Sequence, residues 1–90
     1  MKINIYVMEE RWVIVGAVAE RSACGTRTKL GKAAVVCIWG TTAGLGQLAR
    51  EGPTSATTLH WEDGVEIHER YIMRVIPCNN KAWAKWIQEE

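Results

Sequence analysis

Residues 35–52, VVCIWGTTAGLGQLAREG, determine the architecture expected for this 90-residue chain. The segment begins with an apolar, β-branched run that is typical of a buried strand. Leu45, Leu48 and Ala49 then repeat with the i, i+3, i+4 spacing of one helical face. Gly52 stands where a left-handed C-cap belongs. The stretch therefore predicts a strand that leads directly into a short helix.

The residues on either side of this segment predict short antiparallel strands. Residues 3–7 alternate apolar and polar side chains, and residues 12–19 form a continuous apolar run that favours a strand over a helix. Residues 57–61 and 65–76 predict two later strands on either side of an expected turn at 62–64.

The end of the chain predicts one irregularity and one helix. The alternation of the last strand is interrupted at Glu69, which indicates either a bulge or a junction between two strands. Asn79 or Asn80 is expected to cap a tail helix. The apolar face of this helix consists of Trp83, Trp86 and Ile87.

These elements predict an α+β fold in a single small domain, residues 1–90. About five short strands, mostly antiparallel, carry an inserted short helix and a C-terminal helix. Short twisted strands with bulges curl and thereby remove exposed edges. We therefore expect a small antiparallel β-barrel of the SH3-like or Sm-like kind, with Gly16 marking a bulge or bend.

Composition limits the environment and the partners. The formal net charge is +1, so long-range attraction to nucleic acid or to an anionic membrane is weak. No apolar run approaches the roughly 20 residues of a membrane span. Three cysteines without a CxxC pair, and a start without a signal-peptide pattern, favour free thiols in the cytoplasm.

Charge is distributed unevenly along the chain. Residues 21–50 contain five basic residues and no acid, whereas residues 51–69 contain five acids and no lysine or arginine. The basic part could face an anion. The two parts could also face each other, within one subunit or between neighbours, or the charges could simply be solvated.

The junction between strand and helix is the candidate ligand site. Backbone amides at a helix N-terminus suit a phosphate, and a neighbouring tryptophan offers a face on which a base can stack. Basic residues on the preceding strand could add positive charge. The expected ligand-binding residues are Arg27, Lys29, Trp39, Thr41, Thr42, Ala43 and Gly44. The alternative is an ordinary capped helix beside a core tryptophan.

Other chemical motifs are weak. Residues 44–49 match GxGxxA, but these glycines do not directly follow the strand, as a dinucleotide fold requires. His60 and His68, facing each other across the expected hairpin, could hold a metal or act as acid and base, but no HxH or HxxxH spacing supports this. We therefore expect no enzyme activity, no cofactor and no metal.

The tail helix has two interpretations. Its face of Trp83, Trp86 and Ile87 either docks onto the protein's own sheet or forms an interface with another subunit or a host protein. Tryptophan-rich apolar patches are common at the energetic centres of interfaces.

The order of these motifs resembles a family of small phage-encoded accessory proteins of unknown function. That family carries a segment like TLKNARRxWxW, a helix like SGAxTLSQLAxEG and a strand ending IEIIPC. The chain departs at Ala34 and Val35, where the family has two arginines. The matching segments are residues 15–18, 29–33, 39, 43–52 and 75–78. The resemblance implies a phage accessory protein made in the host bacterial cytoplasm.

The sequence therefore leads to a hypothesis of binding without catalysis. We expect a homo-oligomeric phage accessory protein that sequesters a small anionic, nucleotide-like signal of host antiviral defence. One alternative is an inhibitor that binds a host protein through its C-terminal helix. Another is an Sm-like nucleic-acid binder, which the net charge disfavours. A membrane partner is not expected.

Overall fold

A five-stranded antiparallel sheet is the core of the molecule in a computed structural model, which describes residues 2–21, 26–40 and 44–87. The strands are β1 (Ile3–Met8), β2 (Val13–Arg21), β3 (Arg27–Ile38), β4 (Thr58–His68) and β5 (Ile72–Pro77). The helices are α1 (Gly44–Glu51) and α2 (Asn80–Trp83). The first 3₁₀ turn, Glu9–Arg11, joins β1 to β2, and the second, Glu69–Tyr71, joins β4 to β5. The antiparallel α+β architecture is confirmed.

The strands lie in the order β4-β3-β2-β1-β5, and each neighbouring pair is antiparallel. Strands β4 and β5 form the two edges, and the described residues show no pairing between them. The sheet is therefore open. The expected closure into an SH3-like or Sm-like barrel is not observed.

Both faces of the central strands are covered. Successive side chains of a strand point to opposite faces, so continuous burial of Ile3, Asn4, Ile5 and Tyr6 requires packing on each side. The first cluster lies under the helices and includes Ile5, Val15, Val36, Leu48, Trp83 and Ile87. The second cluster, on the opposite face, consists of Tyr6, Met8, Leu30, Ala33 and Ile67.

Gly16 allows strands β2 and β3 to approach closely. A Cβ atom at Gly16 would lie 2.9 Å from the Cβ of Ala33 and 3.0 Å from a methyl group of Leu30. The register between these two strands shifts between Gly16 and Val18. Between these two positions β3 advances three residues, from Ala33 to Leu30, while β2 advances two, so an irregularity lies next to the expected bulge or bend at Gly16, with its extra residue on β3.

The expected turn at 62–64 is wrong. Strand β4 continues through it, and its pairing with β3 keeps one register from Val65, opposite Leu30, to Asp63, opposite Lys32. Gly64 has a φ of +74°, a conformation that favours glycine, yet the pairing with β3 continues on both sides of it. The junction at Glu69, in contrast, does separate two strands, as one of the two alternatives predicted.

Helix α1 ends as the sequence predicts. Gly52 has a φ of +82°, and its N–H donates to the Leu48 carbonyl at 2.9 Å. A Cβ atom there would lie only 2.6 Å from the Ala82 carbonyl oxygen. The glycine therefore serves both the helix end and the close approach of the α2 segment.

The tail docks onto its own sheet. Trp83 and Ile87 have no exposed surface, and the Trp83 indole N–H donates to the Ala49 carbonyl at 3.2 Å. Trp86, in contrast, is 37% exposed. Two of the three residues expected at an interface thus lie in the core, because the side chains of Trp83, at the end of α2, and of Ile87, beyond it, belong to the first cluster. Asn79 is the cap, accepting from the Lys81 N–H at 3.0 Å. Neither described helix is long and apolar enough to cross a membrane.

Candidate functional site

The basic segment on β3 lies directly opposite the acidic segment on β4. Arg27 Nη1 and Glu66 Oε1 are 2.9 Å apart, and Lys29 is the cross-strand neighbour of Glu66. Lys32 is paired in the same way with Asp63. These charges therefore face each other within one subunit. Opposite charges across neighbouring strands stabilise the pairing modestly and reduce the positive potential available to an anion.

The Trp39 elbow, which in the described chain consists of Trp39, Gly40 and Gly44, is part of the site expected from the sequence. Hydroxyl groups of the following loop hold its backbone: Thr57 Oγ1 donates to the Trp39 carbonyl at 2.6 Å, and Thr54 Oγ1 donates to the Gly40 carbonyl at 2.7 Å. The Trp39 side chain is 44% exposed. A Cβ atom at Gly44 would lie 4.0 Å from its ring, so the ring stands beside the start of α1.

The structure brings together only part of the expected anion site. Trp39 and Gly44 are neighbours, whereas Thr41, Thr42 and Ala43 lie outside the described residues. Arg27 and Lys29 occupy the opposite end of β3. At about 3.3 Å per residue, Lys29 is about 30 Å along the strand from the elbow. Neither basic side chain can share a small ligand with Trp39.

A second site, which the sequence did not reveal, lies where the two 3₁₀ turns meet. It is a cavity of about 310 Å³, named here the aromatic pocket. Its lining residues are Met8, Glu9, Glu10, Trp12, Ile14 and Tyr71. The volume is at the lower end of the range for small-molecule sites, about 300–1,000 Å³.

Strand pairing positions the walls of the aromatic pocket. The Met8 N–H donates to the Trp12 carbonyl at 2.7 Å and closes the hairpin around the first 3₁₀ turn. Ile72 pairs with Met8, which carries the preceding Tyr71 to the same end of the sheet. Met8 and Ile14 belong to the second core cluster or pack against it. The floor of the pocket is therefore part of the core.

The two aromatic rings of this pocket differ in their contacts. Tyr71 is 44% exposed, and the Arg70 guanidinium lies 5.4 Å from its ring centroid. The rings of Tyr71 and His68 are also arranged in a T shape, with centroids 6.2 Å apart. Trp12 is 58% exposed, which is unusual for the largest apolar side chain. Trp12 therefore offers the more accessible ring to a ligand.

The signal for this pocket is a repeated local pattern. Trp12 follows Glu9, Glu10 and Arg11, and Tyr71 follows Glu69 and Arg70. In each case an aromatic residue comes directly after a charged break between strands. The apolar pattern alone assigned both aromatics to strand faces, and only the pairing of β1 with β5 shows that they meet.

The apolar surface continues along the edge strand β5. Met73 is 68% exposed and Val75 is 48% exposed. Val75 is paired with Tyr6, so it lies on the same face of the sheet as the second core cluster. This edge is open to another chain or strand.

The remaining reactive groups are separated. His60 and His68 lie on the same strand, about 26 Å apart at 3.3 Å per residue, and do not face each other as expected from a hairpin. Burial raises the pKa of the Cys78 thiol to about 12. Cys37 is exposed. Among the described residues there is no group of three or more metal-ligating side chains.

Comparison of the chain with protein-family models, curated proteins and solved structures finds no match. The resemblance to small phage accessory proteins therefore stays a prediction. The aromatic pocket and the Trp39 elbow are the two candidate ligand sites.

Proposed function

We propose that the protein acts by binding a small ligand in the aromatic pocket rather than by catalysis. The observation that carries this proposal is Trp12, whose side chain is 58% exposed and lines a cavity together with Tyr71. An exposed ring at the mouth of a cavity with apolar walls is typical of a ligand site.

The position of the pocket against the core also supports binding. Its residues come from strand ends and from two short 3₁₀ turns, and Met8 is buried in the core beneath them. A preformed pocket needs little ordering when the ligand enters, and this raises affinity for a given contact area.

A thermal-shift screen of small molecules tests the proposal. Any compound that binds only the native state stabilises it, by about 2.7 kcal/mol at a concentration of 100 times its Kd. We expect a compound that raises the melting temperature of the wild type and of a Trp39→Ala variant, but not of a Trp12→Ala variant. Both tryptophans are exposed, so the two variants form a matched pair. Equal stabilisation of all three proteins would contradict the assignment to this pocket.

The Trp39 elbow is a second candidate site, for a small nucleotide-like anion. Its support is the exposed Trp39 ring beside Gly44 at the start of α1, where backbone amides favour phosphate. Cyclic dinucleotides and ADP-ribose derivatives are the probes. The proposal expects stabilisation that Trp39→Ala abolishes and Trp12→Ala retains. No stabilisation by any of these probes would remove this candidate.

The biological setting proposed is that of a phage accessory protein that sequesters a host signal in the bacterial cytoplasm. The motif resemblance supports it.

A homo-oligomer is proposed as well, supported by the open β5 edge with Met73 and Val75. Binding to a host protein is the alternative, with Trp86 as the exposed tail residue. Native mass spectrometry of the purified protein would report both its subunit number and any bound molecule; a ligand-free monomer would count against both the sequestration and the oligomer.

We also propose a more specific fold for the five-stranded sheet. The order β4-β3-β2-β1-β5 and the 3₁₀ turn before β5 support an SH3-like arrangement, in which β4 and β5 approach without forming a ladder. Nuclear Overhauser contacts between β4 and β5 side chains would support closure, and their absence would leave an open sheet.

A further inference from the structure

We infer that the aromatic pocket binds the alkylated ammonium group of a small cationic molecule. The inference rests on the proposed function, that this pocket is the ligand site, and adds the chemical class of the ligand. Three features of the pocket carry it: the charge of its lining, the accessible indole of Trp12, and the backbone of Glu10.

The charge of the lining is negative. Two of the six lining residues, Glu9 and Glu10, are carboxylates, and the described lining includes no lysine or arginine. The guanidinium of Arg70 lies 5.4 Å from the ring centroid of Tyr71. A pocket with two carboxylates in its lining attracts a cation and repels an anion such as a phosphate.

The aromatic and apolar walls select among cations. Cations bind over the faces of tryptophan and tyrosine, and quaternary ammonium groups use such sites because they have no N–H donors that need partners. The contact of Arg70 with Tyr71 shows that this ring already accepts a cation on one side. Met8 and Ile14 supply apolar surface for methyl groups. A strongly hydrated ion such as Na⁺ would gain nothing from these walls.

The backbone of Glu10 adds a third observation. Its φ is +62°, and no other non-glycine residue in the described part of the chain has a positive φ. A glycine would adopt this conformation without the steric penalty of a side chain. Strained residues of this kind concentrate at ligand sites. At this position the strained residue is one of the two carboxylates of the pocket.

Choline and its uncharged isostere, 3,3-dimethylbutan-1-ol, test the inference directly. The two have the same shape, so a difference in affinity reports the charge. In calorimetric titrations we expect choline to bind at least about tenfold more tightly than the alcohol. The preference should decrease as salt is raised. The Trp12→Ala variant should bind neither compound.

A pair of double variants tests the two carboxylates. Glu9→Gln with Glu10→Gln should weaken choline binding by about tenfold and leave the alcohol unchanged. Glu62→Gln with Asp63→Asn removes the same charge from β4, away from the pocket, and should leave choline binding at the wild-type level. Circular dichroism checks that each variant is folded.

The outcomes separate this inference from the function on which it rests. Equal affinity for choline and the alcohol, or no binding of choline, would overturn the cation assignment, while the thermal-shift screen still decides whether the pocket is a ligand site. Equal weakening by both double variants would also overturn it. If a peptide with trimethyl-lysine bound more tightly than free trimethyl-lysine, the assignment to a small molecule would be wrong.

Discussion

Replacement of Trp83 by alanine tests whether the tail is part of the core. Trp83 has no exposed surface, and truncation of such a tryptophan costs about 3–5 kcal/mol. Loss of its indole N–H does not leave the Ala49 carbonyl unpaired, because the Asn79 N–H also donates to that oxygen, at 2.9 Å. The cost is therefore mainly that of the cavity. A domain of this size has a stability of about 5–13 kcal/mol, so Trp83→Ala removes a quarter or more of it.

Urea denaturation followed by circular dichroism measures this cost. Trp86→Ala is the matched control, since Trp86 is 37% exposed and should cost less than about 1.5 kcal/mol. Trp83→Phe keeps a buried ring but loses the hydrogen bond, and we expect an intermediate cost of about 1–2 kcal/mol. If Trp83→Ala and Trp86→Ala unfolded at the same urea concentration as the wild type, the docking of the tail would be contradicted. Trp83 would then again be a candidate interface residue.

Three further predictions concern glycines and thiols. Gly16→Ala should destabilise the protein by about 1–3 kcal/mol, because the new Cβ lies 2.9 Å from the facing alanine on β3; an unchanged melting temperature would contradict this packing. Gly52→Ala should cost about 2 kcal/mol or more because of its positive φ and the carbonyl 2.6 Å away, whereas Gly46→Ala, with open space around it, should stabilise α1 by about 0.5–1 kcal/mol in the same unfolding assay. If Gly46→Ala lowered the free energy of unfolding more than Gly52→Ala, the environments described for these two glycines would be contradicted. At pH 8, iodoacetamide should modify Cys37 well before Cys78, whose pKa near 12 keeps it protonated until the pH approaches that value; equal rates by peptide mass spectrometry would refute the burial of Cys78.

Local sequence patterns predicted the structural elements that are determined by residues close together in the chain. The helix from Gly44 and its end at Gly52 follow from spacing and from one glycine, and the irregularity next to Gly16 was expected from a glycine within an apolar strand. The turn expected near Gly64 failed for the opposite reason. Its local sequence favours a turn, but eleven residues of β4 gain a full ladder with β3 by continuing. Contacts distant in sequence outweighed the local preference.

The candidate site shows the same limit. Trp39 and Gly44 are neighbours in sequence, and the sequence placed them together. Arg27 was added to that site because of its charge, but it forms an ion pair with Glu66 across β3 and β4, which agrees with the alternative that the basic and acidic segments face each other. The aromatic pocket joins residues 8–14 with Tyr71. A local pattern marks each half, but only the pairing of β1 with β5 brings the two halves together.

The indole N–H signals of isotopically labelled protein test the central claim most directly. The chain has five tryptophans; Trp12 marks the aromatic pocket and Trp39 marks the elbow, and single Trp→Phe variants assign their signals. Titration with choline should shift the Trp12 signal in a saturable way and leave the Trp39 signal in place. Shifts of Trp39 with nucleotides, with Trp12 unmoved by every probe, would contradict the account and place the ligand at the elbow.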